Sequence, residues 1–224
     1  MAHVLDRPVW HALTTRQRPF VLGDARAVRF DPAIGLFAAA ADAAPGNLAA
    51  LADLVPDGGM IGLVESRLPP LPPGLRIHKQ AACVQMVADA PAAAPEIAFM
   101  PLDERDAADM LDLATLTEPG PFFARTHELG DFIGIRHDGQ LIAMAGERMR
   151  PPGFPEVSGV CTRPAFRGRG YAAALLATVA ARIAARGETP FLHAYADHAA
   201  TIALYERLGF RVRATLTYSL IVRG

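Results

Sequence analysis

The chain has few cysteines and almost no net charge, and both shortages exclude classes of protein. Its two cysteines, Cys83 and Cys161, lie far apart among 224 residues, so they form neither a disulfide framework nor a metal-ligand pattern. We therefore expect no metal. The 22 basic and 23 acidic residues leave a formal net charge of −1. Because nucleic-acid-binding proteins normally present a strongly basic face, we expect no nucleic-acid partner.

Long hydrophobic runs are missing as well. No stretch reaches transmembrane length without a charged residue or a proline, and the start of the sequence lacks the apolar core of a signal peptide. These observations predict a cytoplasmic protein that does not associate with a membrane.

The most informative segment is a strand, a glycine-containing loop and a helix in direct succession. An apolar strand over 157–162 leads to the loop Arg167-Gly168-Arg169-Gly170-Tyr171-Ala172, and an Ala- and Leu-rich helix follows. Glycines let backbone N–H groups come close to a ligand, and the first turn of a helix leaves N–H donors unpaired. The pattern indicates a phosphate or pyrophosphate site, and an ordinary strand-to-helix turn is the alternative.

The surrounding pattern is that of a mixed α/β protein. Acidic residues from Asp103 to Asp106 predict a helix start, and Asp138-Gly139 predicts a two-residue hairpin turn between strands. A strand over 191–196 and a helix over 199–208 follow the glycine loop, and we expect a final strand pair within 211–222. Residues 1–89 give a weaker pattern, with strands predicted near Met60–Glu65 and within 75–87.

Two of these segments resemble motifs of the GNAT superfamily of acyl-CoA-dependent N-acyltransferases. The pyrophosphate loop of that family, Arg/Gln-x-x-Gly-x-Gly/Ala, is matched at Arg167, Gly170 and Ala172. Its later Tyr-x-x-x-Gly-Phe motif is matched at Tyr205, with Gly209-Phe210 behind it. The resemblance covers about residues 97–224 and is closest to the branch grouped with the C-terminal domain of glycine N-acyltransferase.

The resemblance implies the fold and suggests a domain division. We expect the GNAT fold, a mixed α/β arrangement on a mainly antiparallel sheet, over residues 96–224. The Ala- and Pro-rich stretch 90–95 is the predicted linker. We expect residues 1–89 to form a smaller N-terminal domain, which the related branch suggests is a degenerate partial copy of the same fold.

The resemblance also implies acetyl-CoA as cosubstrate and assigns residues to it. The cofactor-binding residues expected are Val160, Cys161, Thr162, Arg167, Gly168, Arg169, Gly170, Tyr171, Ala172, His198 and Tyr205. His198 stands where relatives commonly carry an asparagine that binds the pantetheine arm, so it departs from the family pattern, and a surface histidine is the alternative. Cys161 invites a role as nucleophile, but no base is paired with it in the sequence, so a buried strand thiol is favoured.

Two catalytic roles follow from the same resemblance. Tyr205 is expected to protonate or hydrogen-bond the leaving thiolate, with a packing role as the alternative. Glu156 is the candidate general base, Glu147 is its competitor, and either acid could instead be a solvated strand end.

These assignments predict an N-acyltransferase that moves an acetyl group from acetyl-CoA to the amine of a small molecule or amino acid by direct attack. The alternatives are a non-catalytic acyl-CoA sensor and an enzyme acting on protein N-termini or lysine side chains. The expected assembly is a monomer or a homodimer.

Overall fold

The computed structural model describes residues 3–224, so the first two residues of the predicted 1–89 segment lie outside it. The α-helices are α1 (Pro8–Leu13), α2 (Pro45–Asp53), α3 (Ala107–Thr117), α4 (Tyr171–Ala185) and α5 (Ala199–Arg207). The strands are β1 (Val21–Gly23), β2 (Ala27–Phe30), β3 (Ala38–Ala40), β4 (Ile61–Glu65), β5 (Leu75–Val87), β6 (Met100–Leu102), β7 (Phe132–His137), β8 (Gln140–Glu147), β9 (Val157–Thr162), β10 (Phe191–Tyr195) and β11 (Arg211–Arg223).

The strands form three antiparallel sheets. Their orders are β1-β2-β3, β10-β5-β11-β4 and β6-β7-β8-β9. The predicted mixed α/β fold on mainly antiparallel sheets is therefore confirmed. In the described part of the chain, none of the helices combines the length and the apolar character that crossing a bilayer requires.

Local sequence signals set two of these elements. Asp138 and Gly139 both adopt positive φ, 49° and 78°, which the tight turn between β7 and β8 requires, so the predicted hairpin is confirmed. In α4, Leu175, Leu176 and Val179 share one buried face at helical spacing. That face packs the helix against β8 and β9 and fixes its start next to the end of β9.

The predicted final strand pair within 211–222 is wrong. Residues 211–223 form one continuous strand, β11, because nothing between Arg211 and Arg223 is a turn-forming Gly, Pro, Asn or Asp. Its neighbours in the sheet are instead β5 and β4, both from the N-terminal segment. β5 also pairs with β10, so an N-terminal strand lies between two C-terminal strands.

The segments on either side of 90–95 therefore share a sheet as well as a core. One buried hydrophobic cluster joins Phe30, Phe37 and Val64 from the first segment to Phe191 and Leu216 from the second. The predicted linker lies against α5, where the Ala92 N–H donates to the Leu208 carbonyl at 3.0 Å. The division of the chain into domains at 90–95 stays a prediction.

Strands β9 and β10 run side by side only at their beginnings. They join through a parallel bridge between Glu156 and Phe191, and beyond it β9 pairs with β8 while β10 pairs with β5. Gly159, with φ +64°, lies at a register shift between β8 and β9. Such a bulge increases the local twist of a strand, which turns β9 away from β10. The divergence opens a cleft between the two strands.

Replacement of Gly159 by alanine should destabilise the protein more than the same change at Gly139. Both glycines have positive φ, but a Cβ at Gly159 would lie 3.0 Å from the Phe132 ring, whereas one at Gly139 would meet nothing within 4 Å. We expect the free energy of unfolding, measured by urea denaturation, to fall by about 2–3 kcal/mol for Gly159→Ala and by about 1 kcal/mol for Gly139→Ala. Equal losses would contradict this account of the bulge.

Candidate active site

The glycine loop forms an open cradle at the start of α4. Gly168 and Gly170 have φ of +78° and +80°, a conformation that side chains with a Cβ rarely adopt. A Cβ at either position would meet no protein atom within 4 Å, so open space faces both glycines. Tyr171 begins the helix, whose first N–H groups point toward this space and favour an anion.

The charges beside the cradle are uncompensated. Arg167 donates from Nε to the Thr162 carbonyl at 3.2 Å, and the Arg169 guanidinium lies 5.0 Å from the centre of the Phe166 ring. Neither arginine forms an ion pair with residues 3–224. The Thr162 hydroxyl, at the floor of the same hollow, is buried and finds no hydrogen-bond partner among those residues. The loop therefore fits a diphosphate.

A cavity of about 310 Å³ adjoins this hollow in the cleft between β9 and β10. Pro119 and Val160 line both spaces, so the edge of β9 leads from the glycine loop into the cavity. The cavity walls include three tyrosines, Tyr195, Tyr205 and Tyr218. A ligand whose diphosphate rests on the loop would place its far end among these tyrosines.

The N-terminal segment supplies one wall of the cavity. Phe37, Val64 and Cys83 all face it, although the resemblance that identified the loop covers only residues from about 97 onward. The guanidinium of Arg148 lies over the Phe37 ring, 4.9 Å from the ring centre, which is a cation–π contact. The cavity is therefore built from both segments of the chain.

Tyr205, the residue predicted to protonate the leaving thiolate, lines the cavity. It projects from α5 into the cavity and packs against Phe210, with ring centres 6.3 Å apart. Burial raises its pKa above the ordinary value for tyrosine, so the phenol keeps its proton at neutral pH. Its hydroxyl makes no hydrogen bond to the described residues.

Glu156 does not have the surroundings of a general base. It is 0% exposed, and its carboxylate accepts hydrogen bonds from Arg148 Nε and Nη2, both at 2.9 Å, and from the Met149 N–H at 3.2 Å. His193 Nδ1 lies 2.8 Å from the same carboxylate. Burial alone would raise the pKa of Glu156, but the Arg148 charge and these hydrogen bonds hold it at about 2. These contacts argue against the predicted general base at Glu156, because both carboxylate oxygens are occupied and the proton affinity is low.

His193 is held by the same network. Its ring lines the cavity, Nδ1 faces Glu156, and Nε2 lies 3.2 Å from the side-chain nitrogen of Gln85. Gln85 also donates to the Leu5 carbonyl at 2.9 Å and accepts from Arg213 at 2.8 Å. Its amide orientation is thereby fixed, so His193 Nε2 must accept and Nδ1 must donate to the carboxylate. Both ring nitrogens are used.

Glu147 is also paired with arginines. It is buried, accepts a hydrogen bond from Arg186 at 2.6 Å and lies 3.7 Å from Arg150. It is not among the cavity-lining residues. The structure therefore leaves neither acid of the predicted pair free to take a proton from a substrate.

The cysteines show no sign of a nucleophile. Cys161 is buried in β9, and burial raises the pKa of its thiol to about 11. Cys83 lies in the cavity wall, where burial and the Glu156 charge also raise its thiol pKa to about 11. Thiols with such pKa values are almost fully protonated at pH 7 and react poorly.

His198 lies at the mouth of the cavity, just before α5. Its ring packs edge-on against Tyr195, with centroids 5.3 Å apart, and more than half of the side chain is exposed. It lines the cavity, so a contact with the pantetheine arm stays a prediction. Sequence reasoning missed Arg148, Gln85 and His193, since no spacing connects them.

This geometry suits one class of chemistry. A glycine loop that fits a diphosphate, joined along one strand edge to a cavity with a protonated phenol, is compatible with acyl transfer from a coenzyme A thioester.

A protein from Novosphingobium aromaticivorans, described as a putative acetyltransferase from the GNAT family, is 47% identical to this chain. The match covers 100% of both chains with a TM-score of 0.93. The chain therefore belongs to the GNAT family, whose fold generally uses acetyl-CoA. The family described as FR47-like protein also matches residues 132–219.

More distant structures share the fold over nearly the whole chain. A GCN5-related N-acetyltransferase from Kribbella flavida has a TM-score of 0.62 at 19% identity, covering 96% of this chain and 93% of its own. A GCN5-related N-acetyltransferase-like protein from Streptococcus suis has a TM-score of 0.60 at 17% identity, covering 95% and 92%. Comparison with curated proteins finds no match.

Replacement of Glu156 by glutamine should reduce stability in a pH-dependent way. The folded-state pKa of about 2 lies below the ordinary value of 4.5, so the carboxylate stabilises the wild-type protein above pH 4.5. This contribution, about 3 kcal/mol, is lost as the pH falls toward 2.

Urea denaturation of wild type and Glu156→Gln between pH 2 and pH 7 checks this. The difference between the two free energies of unfolding should be largest at pH 7 and shrink toward pH 2. Glu206→Gln, which removes an exposed carboxylate from α5, is the matched control and should change stability by less than about 0.5 kcal/mol. A pH-independent difference for Glu156→Gln would contradict the assignment.

Proposed function

We propose that this protein transfers an acetyl group from acetyl-CoA to the amine of a small molecule or amino acid by direct attack. The single observation that carries the proposal is the continuous path from the glycine loop, along the edge of β9, to the cavity that holds Tyr205. The family membership supports acyl transfer in general, and the path supports a donor with a diphosphate at one end.

Each part of the path has a chemical task. The backbone N–H groups from Gly168 to Ala172, with Arg167 and Arg169, hold the diphosphate. The amine nitrogen attacks the thioester carbonyl, a C–N bond forms and the C–S bond breaks. The departing thiolate takes the proton of the Tyr205 hydroxyl, which the raised pKa of that group keeps available at neutral pH. A proton from the new amide nitrogen restores the phenol.

The walls of the cavity support a small acceptor rather than a protein. The N-terminal segment closes one side with Phe37 and Val64, and a volume of about 310 Å³ matches a small metabolite. Nη1 of Arg148 makes no hydrogen bond to residues 3–224 and lies near Gly120, which also lines the cavity. This donor could bind an oxygen of the acceptor, such as an amino-acid carboxylate, as expected for the glycine N-acyltransferase-like branch.

The proposal is tested by thiol release from acetyl-CoA in the presence of pooled amines, amino acids and short peptides, together with calorimetry of acetyl-CoA binding. Release with small amines supports it. Tight binding without release from any pool would support the acyl-CoA sensor instead, and release with peptides alone would support a protein acceptor. Absence of binding would overturn all three.

Bulky residues in the glycine loop should abolish donor binding. Gly168→Val and Gly170→Val each place a branched side chain in the cradle, so we expect the Kd for acetyl-CoA to rise at least about 100-fold. Gly187→Val is the matched control, because Gly187 ends the same helix with φ +76° in open space. Calorimetry on all three variants should show lost acetyl-CoA binding only for Gly168→Val and Gly170→Val. Unchanged binding in these two variants would contradict the proposed diphosphate site.

Removal of the Tyr205 hydroxyl should slow turnover without weakening donor binding. For Tyr205→Phe we expect kcat to fall about 10²-fold, which is typical for the loss of a positioned acid, while the Kd for acetyl-CoA stays within about threefold. Steady-state kinetics and calorimetry measure the two quantities. An unchanged kcat would show that Tyr205 is a packing residue and does not protonate the thiolate.

A further inference from the structure

We propose that Glu118 is the carboxylate that binds the acceptor amine as an ammonium ion and takes its proton. The inference rests on the proposed N-acyltransferase function and names the acceptor class, a small amine that is cationic at neutral pH. Glu118 directly follows α3 and lines the cavity together with Pro119, Gly120 and Tyr205. Its neighbour Pro119 also lines the glycine-loop hollow, which places Glu118 beside the passage to the cavity.

The other carboxylates near the cleft are already paired. Glu156 is enclosed by Arg148 and His193, and Glu147 is held by Arg186. Glu118 forms neither an ion pair nor a side-chain hydrogen bond with residues 3–224. Among the cavity-lining residues of that range it is the only acid. A cationic amine entering the cavity therefore meets one available negative charge.

The backbone conformation of Glu118 also supports a functional role. Its φ and ψ are 49° and 54°, the left-handed conformation in which glycine or asparagine normally ends a helix, and its N–H donates to the Ala114 carbonyl at 2.8 Å. Asp138 is the other non-glycine residue with positive φ in the described chain, and a hairpin turn accounts for it. At position 118 a glutamate occupies a conformation in which glycine would be less strained, and such strained residues cluster at functional sites.

The proton transfer balances with the acyl transfer. The ammonium gives one proton to the Glu118 carboxylate, directly or through one water, and becomes a neutral amine. The nitrogen then attacks the thioester carbonyl, the C–N bond forms and the C–S bond breaks, with the thiolate protonated by Tyr205. The second nitrogen proton restores the phenol, and Glu118 releases its proton to solvent. Tyr205 and Glu118 line the same cavity, so both transfers take place in one space.

The test compares two classes of acceptor in two variants. Glu118→Gln and Glu118→Gly should lower kcat/KM at least about 100-fold for aliphatic amines, which are protonated at pH 7. For arylamines, which are largely neutral there, the change should be less than about threefold, and the KM for acetyl-CoA should be unchanged. Glu118→Gly should also raise the urea midpoint, because it relieves the left-handed backbone.

Asp138→Gly is the matched control, since it relieves the same conformation outside the cavity. It should raise the urea midpoint and leave both acceptor classes unaffected. Wild-type kcat/KM with aliphatic amines in both Glu118 variants would overturn the proposal, and so would equal losses for aliphatic amines and arylamines. If the wild-type protein acylates no amine, the proposed function itself is overturned. Measurement of acetyl-CoA binding and thiol release with the wild-type protein distinguishes this result from a loss of activity in a Glu118 variant.

Discussion

The buried carboxylate of Glu156 is the constraint on which the rest of the site depends. It lies at the bridge between β9 and β10, the point from which the two strands diverge. There it fixes the guanidinium of Arg148 and the ring of His193, both of which line the cavity. A buried charge without partners would cost several kcal/mol, so the network must form completely if the chain is to fold with this glutamate. The shape of the cleft and the polar groups on its walls are therefore set together.

The network also fastens the N-terminal segment to the cavity. From His193 it continues to Gln85 in β5, then to Arg213 in β11 and to Asp6 near the start of the chain. Arg148 meanwhile rests on Phe37. Buried ion pairs add little net stability compared with apolar residues of the same size, but they specify which groups must meet. Here they align segments that are remote in sequence, so that a strand from one segment lies between two strands from the other.

What could be predicted from the sequence was what local chemistry determines. Asp138-Gly139 requires a tight turn, the apolar face of α4 requires a helix, and the glycines of the loop require an open cradle, so these features were found. The insertion of β5 between β10 and β11 could not be predicted, because pairing between distant strands leaves no local signal. The surroundings of Glu156 could not be predicted for the same reason, since the residues that neutralise it are brought to it only by the fold.

The same division explains why the donor is easier to infer than the acceptor. The diphosphate proposed for the glycine loop would be held by one continuous stretch of chain, and the features that favour it, glycine backbones and a helix start, can be read from the sequence. The cavity walls combine Phe37, Arg148, His193 and the turn at Glu118, which four separate parts of the chain deliver. Substitution in any of these parts can therefore alter the cavity while the loop stays intact, so the loop motif places no limit on which acceptor would fit.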